Sequence, residues 1–256
     1  MSQNSITFFG TGTSVGIPMV GCPCEVCHSS NLKDKRMRTS ALIQYNSQNI
    51  LIDIGPDFRT QALENNLSKI DAILVTHPHR DHVGGFDDIR ALNFLYESQL
   101  DLYTNEFTWH SIQKQFYYAF EQSEYTSVPK VRFHSIHNKP FKHENIEIIP
   151  IHVWHGKMPC LGFRIGKLAY ITDANAIASA ELEKLKHLDI LVINALRKTH
   201  HPSHFTLDEA LAIIEQIQPK KAFLTHLSHH MGFHSEVQNE LPNNVSIAWD
   251  GLKVEF

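Results

Sequence analysis

The sequence predicts an α/β protein in which two sheets stack face to face with helices on their outer sides. Three observations carry this expectation. Residues 40–76 read as strand, strand, helix, strand, and a looser version of that order returns beyond residue 146. The runs are apolar and β-branched, as strands buried between layers must be. Finally, three histidines and an aspartate crowd the turn Thr76-His77-Pro78-His79-Arg80-Asp81-His82, between a strand end and a helix, where open α/β sheets place their ligands.

At 256 residues, 42% hydrophobic and 20% charged, the chain can bury a large core, and a single domain over residues 1–256 is expected. A net charge of −4 gives no basic field for nucleic acid. No run approaches the roughly 18 apolar residues of a membrane span, and Met1-Ser-Gln-Asn4 lacks the charged and apolar regions of a secretory leader. A cytoplasmic protein without a membrane partner is therefore expected. The 18 histidines exceed what packing calls for, so only those with a partner pattern are promoted.

Ser5–Phe9 reads as the first strand and runs into Gly10-Thr-Gly-Thr-Ser-Val-Gly16. Such a loop permits close backbone approach. It lacks the lysine and hydroxyl ending of a phosphate-binding P-loop, so a structural use is expected. Next, Cys22, Cys24 and Cys27 place three of the four cysteines within six residues. Thiolates at this spacing suit a structural zinc, and the fourth ligand is left to His28, Cys160 or a histidine of the C-terminal half. Free reduced thiols are the plainer alternative.

Ser40–Tyr45 and Ile50–Ile54 read as antiparallel strands, and the second ends in Asp53-x-Gly55. A capped helix follows over residues 57–66, then the strand Asp71–Thr76. His77, His79, Asp81 and His82 offer imidazole and carboxylate, the usual ligands of zinc, manganese and iron. Phe86, Ile89, Leu92 and Leu95 predict one helical stripe over residues 86–95. Residues 106–120 read as an aromatic helix, either packed on the core, lining a pocket or facing a partner. His110, His134, His137 and His143 show no partner spacing and are expected at the surface.

From Ile146 a strand leads to His152 and His155, followed by strands Cys160–Ile165 and Leu168–Asp173. A short helix over 179–186 precedes the strand Asp189–Asn194 and a loop carrying His200, His201 and His204. Thr206 and Glu209 form a capping box for a helix that Pro219 stops. The strand Lys221–Thr225 delivers His226, His229 and His230. Residues 245–249 and 252–256 around Asp250-Gly251 predict a type I′ hairpin.

His77-x-His79-x-Asp81-His82 after a hydrophobic strand resembles the HxHxDH signature of the metallo-β-lactamase superfamily of dinuclear metallohydrolases. With Cys22-x-Cys24-x-x-Cys27 behind the first strand, the chain more closely resembles the PhnP-type phosphodiesterases. The resemblance implies the αββα sandwich of two mixed sheets and a supporting role for Asp53 behind the metal loop. It implies His77, His79 and His155 on one metal, Asp81, His82 and His226 on the other, and Asp173 bridging them. His155 is preferred to His152 because it precedes Gly156 and the Gly162-Phe163 strand. Asp173 stands where true β-lactamases of the superfamily carry cysteine, which weighs against β-lactam hydrolysis. His229 would complete a structural zinc with Cys22, Cys24 and Cys27. The resemblance implies two divalent ions, zinc or manganese, in the active site, with Asp81 and His204 the catalytic candidates; His204 matches the histidine proposed as general acid.

A small phosphodiester, open or cyclic, is the substrate implied, attacked by a hydroxide between the two metals. The competing readings are a tRNA 3′-processing endonuclease, a thioester or lactone hydrolase, and a non-catalytic metal-binding module. No basic Gly/Pro-rich arm for tRNA is found, so a nucleic-acid partner is not expected. A homodimer is left open.

Overall fold

The computed structural model describes residues 4–121 and 127–256. Met1–Gln3, read above for a leader, and residues 122–126 of the aromatic region lie outside the described residues. The architecture is the expected αββα sandwich. One sheet holds β1 (Ser5–Gly10), β2 (Ser40–Tyr45), β3 (Gln48–Ile52), β4 (Ala72–Leu74), β5 (Leu100–Thr104) and β6 (Val131–Ser135) in sequential order. The other holds β7 (Phe141–His143), β8 (Ile146–His155), β9 (Met158–Ile165), β10 (Leu168–Tyr170), β11 (Ala176–Ile177), β12 (Ile190–Asn194), β13 (Lys221–Thr225) and β14 (Val245–Ile247). β1–β2–β3 and β8–β9–β10 pair antiparallel, β7 and β11 pair antiparallel with β8, and β3–β4–β5–β6 and β10–β12–β13–β14 pair parallel, so both sheets are mixed. The last strand, β15 (Lys253–Glu255), returns to pair antiparallel with β1.

Three apolar layers hold these parts together. Between the sheets lie Ile6, Phe8, Ile43, Ile52, Leu161, Phe163 and Tyr170. Phe58, Ile73, Phe86 and Ile112 fill the outer side of the first sheet, and Leu191, Ile214 and Leu224 that of the second. The helices that carry Phe58, Ile112 and Ile214 therefore each cover one sheet face. The Gly/Thr loop is wedged between two segments: a Cβ at Gly10 would stand 2.0 Å from the Arg38 carbonyl oxygen. Gly12 bridges both Arg38 and Leu227, and Thr13 N–H donates to the Leu227 carbonyl at 3.0 Å. The loop thus ties the first sheet to the end of β13, the structural use expected of it.

Five expectations need correction. The C-terminal hairpin does not form: β14 pairs parallel with β13, whereas β15 lies in the other sheet. Asp250 explains the difference, because its buried carboxylate accepts from Thr11 Oγ1 at 2.7 Å and from Met37 N–H at 2.6 Å. Those bonds, with Gly251 at φ 84°, carry the chain from one sheet to the other. The stripe at residues 86–95 splits into a 3₁₀ turn Phe86–Ile89 and an α-helix Arg90–Tyr96, leaving Leu95 68% exposed. Tighter winding rotates the later residues away, and Asn93 takes the inner place, donating to Ser98 and Lys130 carbonyls. The aromatic helix ends at Gln115, with a 3₁₀ turn Tyr117–Ala119 beyond; Ile112 and Phe116 are buried but Phe107 and Tyr117 are not. His143 is buried and bonded to the Tyr103 hydroxyl at 3.1 Å, not at the surface. Asp57 does not cap its helix either; its carboxylate pairs with Arg38 at 2.8 Å.

Asp250→Ala should strand the Thr11 hydroxyl, the Met37 N–H and part of the charge compensation of buried Arg36. A loss of about 3 kcal/mol, roughly 6–12 °C in Tm, is expected. Asp250→Asn keeps an acceptor and should lose less than half as much in thermal denaturation; equal losses would show that hydrogen bonding at Asp250 does not fix the crossover.

Candidate active site

Strand ends from both sheets deliver one cluster. Asp53 follows β3, the His77–His82 segment follows β4, His155 closes β8, Asp173 lies just past β10 and His226 follows β13. Asp53, Asp173 and His226 occupy the left-handed region, at φ 60°, 56° and 56°. Each such residue costs about 1–3 kcal/mol, a strain that clusters where function requires a particular aim.

The donor atoms of His77, His79 and His155 lie within 4.8 Å of one another, as do those of Asp81, His82, Asp173 and His226. Asp173 reaches both groups. Its Oδ2 stands 3.6 Å from His77 Nε2, and its Oδ1 is 3.3 Å from His82 Nε2 and 3.1 Å from His226 Nε2. Asp81 Oδ2 is 3.2 Å from His82 Nε2 and 3.7 Å from His226 Nε2. The groups formed are those expected from the sequence. His152 is not among them. Its N–H donates to Glu181 at 2.8 Å, and strand alternation turns its side chain to the face opposite His155.

The rings are aimed from behind. Asp53 accepts from Thr76 N–H and Oγ1 at 2.8 Å each, and from His82 Nδ1 at 2.7 Å. Thr76 Oγ1 also lies 3.0 Å from His77 Nδ1, and His155 Nδ1 donates to the Ser203 carbonyl at 2.8 Å. In these three rings Nδ1 is engaged, which leaves Nε2 for the cluster, as metal-binding histidines are held. Thr76 was legible as the residue ahead of the motif. Ser203 was not, because it contributes only a backbone oxygen.

Electrostatics agree. Burial opposes a charge on His82, but Asp173, Asp81 and Asp53 outweigh it and hold the ring well above the usual imidazole range. Burial likewise opposes ionisation of Asp173, yet His226, His82 and His77 keep its carboxylate well below the ordinary range. A pocket that keeps a buried imidazole charged has the negative field a divalent cation needs. His82 Nε2 and both ring nitrogens of His226 are buried without a hydrogen-bond partner among the described residues. Nitrogens so placed, with carboxylate oxygens beside them, fit a shared ion better than a shared proton.

His204 joins the rim, its donor atom within 4.8 Å of those of His155 and Asp173. It stacks on His226 at 5.0 Å between centroids and tilts on His155 at 4.5 Å.

The second cluster lies one short step along the chain. His229 Nδ1 is 3.3, 3.2 and 3.6 Å from the sulfurs of Cys22, Cys24 and Cys27. These four donors can hold a tetrahedral metal. The Cys27 N–H and His229 pull the Cys24 thiol down to about 6, as suits a thiolate ligand. Neither alternative fourth ligand is near: His28 is exposed on the Cys24 carbonyl, and Cys160 is buried 3.7 Å from His77 Nδ1.

A family description, Beta-lactamase superfamily domain, matches residues 48–227. The chain belongs to that superfamily. The superfamily's fold takes divalent metals, and the two clusters supply donors for them. Within the superfamily it lies close to PhnP: a crystal structure described as a new diphosphatase from the PhnP family matches with TM-score 0.93 and 40% identity, over 99% of this chain and 98% of that one. Zinc-bound PqqB from Methylobacterium extorquens matches at TM-score 0.78 and 17% identity, over 98% of this chain and all of that one, a likeness of fold alone. The octanoyltransferase of Porphyromonas gingivalis is 40% identical over 247 residues, 95% of this chain. The chain spans about half the length of that curated relative. Among the described residues no helix is long and apolar enough to cross a membrane.

Cys27→Ser should remove one metal equivalent and lower Tm by on the order of 10 °C, because a site assembled only on folding gives its binding energy to the fold. Elemental analysis and calorimetry check this. Asp53→Ala should leave the cysteine-bound metal in place and weaken the histidine-cluster metals about 10–100-fold in a chelator titration.

Proposed function

We propose that the protein hydrolyses a small phosphodiester, open-chain or cyclic, with two divalent ions, zinc or manganese, in the histidine cluster and a structural zinc on Cys22, Cys24, Cys27 and His229. The observation that carries this reading is Asp173, one carboxylate within reach of both histidine groups, with His204 beside it. When bound, the two ions supply activation of water and positive charge for the phosphate oxygens. The protein's own part is to hold and aim. Burial opposes ionisation of Asp81, but His82 and His226 keep it ionised, so it remains a ligand at any physiological pH. Asp53 and Thr76 fix His82 and His77, and Ser203 fixes His155.

His204 is the group placed to protonate the departing alkoxide. Burial, followed by His226, pushes its basicity down to about 3, so it is neutral before substrate arrives. A phosphate anion beside it supplies the opposing field, so its proton is taken up with the substrate.

The diphosphatase described for the PhnP-family relative is compatible with the same site, since a phosphoanhydride offers the same oxygens. Acyl transfer, the activity named for the Porphyromonas protein, would need an acceptor nucleophile in this half. Cys160, the cysteine outside the metal-binding group, is buried, and burial pushes its thiol well above the ordinary range. A net charge of −4 disfavours a tRNA-sized polyanion.

His204→Ala tests the reading through leaving groups. A nitrophenolate departs unprotonated, whereas a sugar alkoxide does not. Hydrolysis of a cyclic ribose phosphate should fall ~10²–10⁴-fold in kcat/KM, and that of bis(p-nitrophenyl) phosphate less than ~10-fold. Equal losses would remove His204 from the acid role. Asp173→Ala should abolish turnover of both esters, and full activity with metals retained would contradict its shared placement.

A further inference from the structure

His201 has no place in the machinery described so far, yet the fold brings it to the same rim. It is half-buried, and its ring lies 5.0 Å from His204 between centroids. The Ser203 N–H donates to His201 Nδ1 at 3.3 Å, and the Ser203 hydroxyl lies equally near that nitrogen. A backbone N–H can only donate, so Nδ1 is the acceptor and the ring hydrogen of neutral His201 sits on Nε2. Among the described residues Nε2 has no hydrogen-bond partner. The loop is also fixed in place, since the Ser203 carbonyl receives His155 Nδ1 at 2.8 Å. One serine backbone therefore orients a ring on either side, His155 toward the cluster and His201 beside His204. Burial and the nearby Arg197 lower the basicity of His201, in keeping with a neutral ring.

We propose that His201 is a substrate-binding residue, its Nε2–H donating to a non-bridging oxygen of the phosphate held next to His204. The inference rests on the phosphoesterase reading above. His204 then carries the proton for the leaving group, and His201 stabilises charge on an oxygen that stays with phosphorus. No proton is transferred from His201. A preorganised neutral donor costs no reorganisation at the moment of reaction and contributes most where negative charge grows.

Two amides separate this role from a merely structural one. Glutamine places its amide nitrogen near the position of Nε2, while asparagine places its amide oxygen near that of Nδ1. His201→Ala should lower kcat/KM on bis(p-nitrophenyl) phosphate by on the order of 10²-fold, with metal content unchanged. His201→Gln should recover at least about tenfold of that loss, and His201→Asn should not. Calorimetric titration of the metal-loaded protein with inorganic phosphate should rank the variants the same way. Failure of Gln to recover more than Asn, in turnover and in phosphate binding, overturns the proposal and assigns His201 to holding Ser203. An alanine variant within threefold of the parent overturns it too. A parent that binds phosphate but cleaves no ester would refute the phosphoesterase reading, while the phosphate titration still decides the role of His201. A parent that does neither refutes both.

Discussion

Asp53, Asp81 and Asp173 are buried together where the two sheets meet. An unpaired buried carboxylate costs several kcal/mol even after the protein relaxes around it, so three of them cannot persist without positive charge among them. His82 stands in the middle, bonded to Asp53 and within 3.3 Å of both Asp81 and Asp173. Alone, the group recruits a proton; its geometry, with unpartnered imidazole nitrogens facing carboxylate oxygens, is that of a cation site. The left-handed turns at Asp53, Asp173 and His226 are the backbone's share of this arrangement. Strain at three strand ends is tolerated because the apolar layers between and outside the sheets hold each strand in register.

The same constraint links the two metal-binding groups. β13 ends at Thr225, His226 enters the acidic cluster, and His229 turns to the cysteines three residues later. Thr11 and Thr13 clamp Leu227 between these two histidines through backbone hydrogen bonds in both directions. The Gly10–Gly16 loop can do this only because Gly10 and Gly12 leave no side chain in the way. The cysteine group therefore anchors the far end of the segment that carries His226.

Much of this was legible in the sequence because the chemistry is concentrated. HxHxDH behind an apolar strand and three cysteines within six residues each point to ligands by residue type and place, whereas His155, Asp173, His226 and His229 were reached through the resemblance to the superfamily. The αββα layering followed from the succession of apolar runs. What escaped was set by contacts far apart along the chain. The paired strands expected around Asp250 lie in different sheets because Asp250 bonds to Thr11 and Met37, more than 200 residues away. His143 is buried because Tyr103, on a strand of the other sheet, offers it a hydroxyl. The stripe at residues 86–95 broke because a 3₁₀ turn changed its period, a local choice that hydrophobic spacing does not reveal. His201 and Ser203 were hidden for another reason: their part depends on which ring nitrogen is occupied, and that is a property of geometry alone.

The proposed function requires three metal positions, two sharing Asp173 and one on the cysteines. Anomalous diffraction from crystals of the freshly purified protein, measured on either side of the zinc and manganese edges, tests it directly. The account predicts three peaks, two within coordination distance of Asp173 and one among Cys22, Cys24, Cys27 and His229. A single peak in the histidine cluster, or two peaks that do not share Asp173, would contradict it.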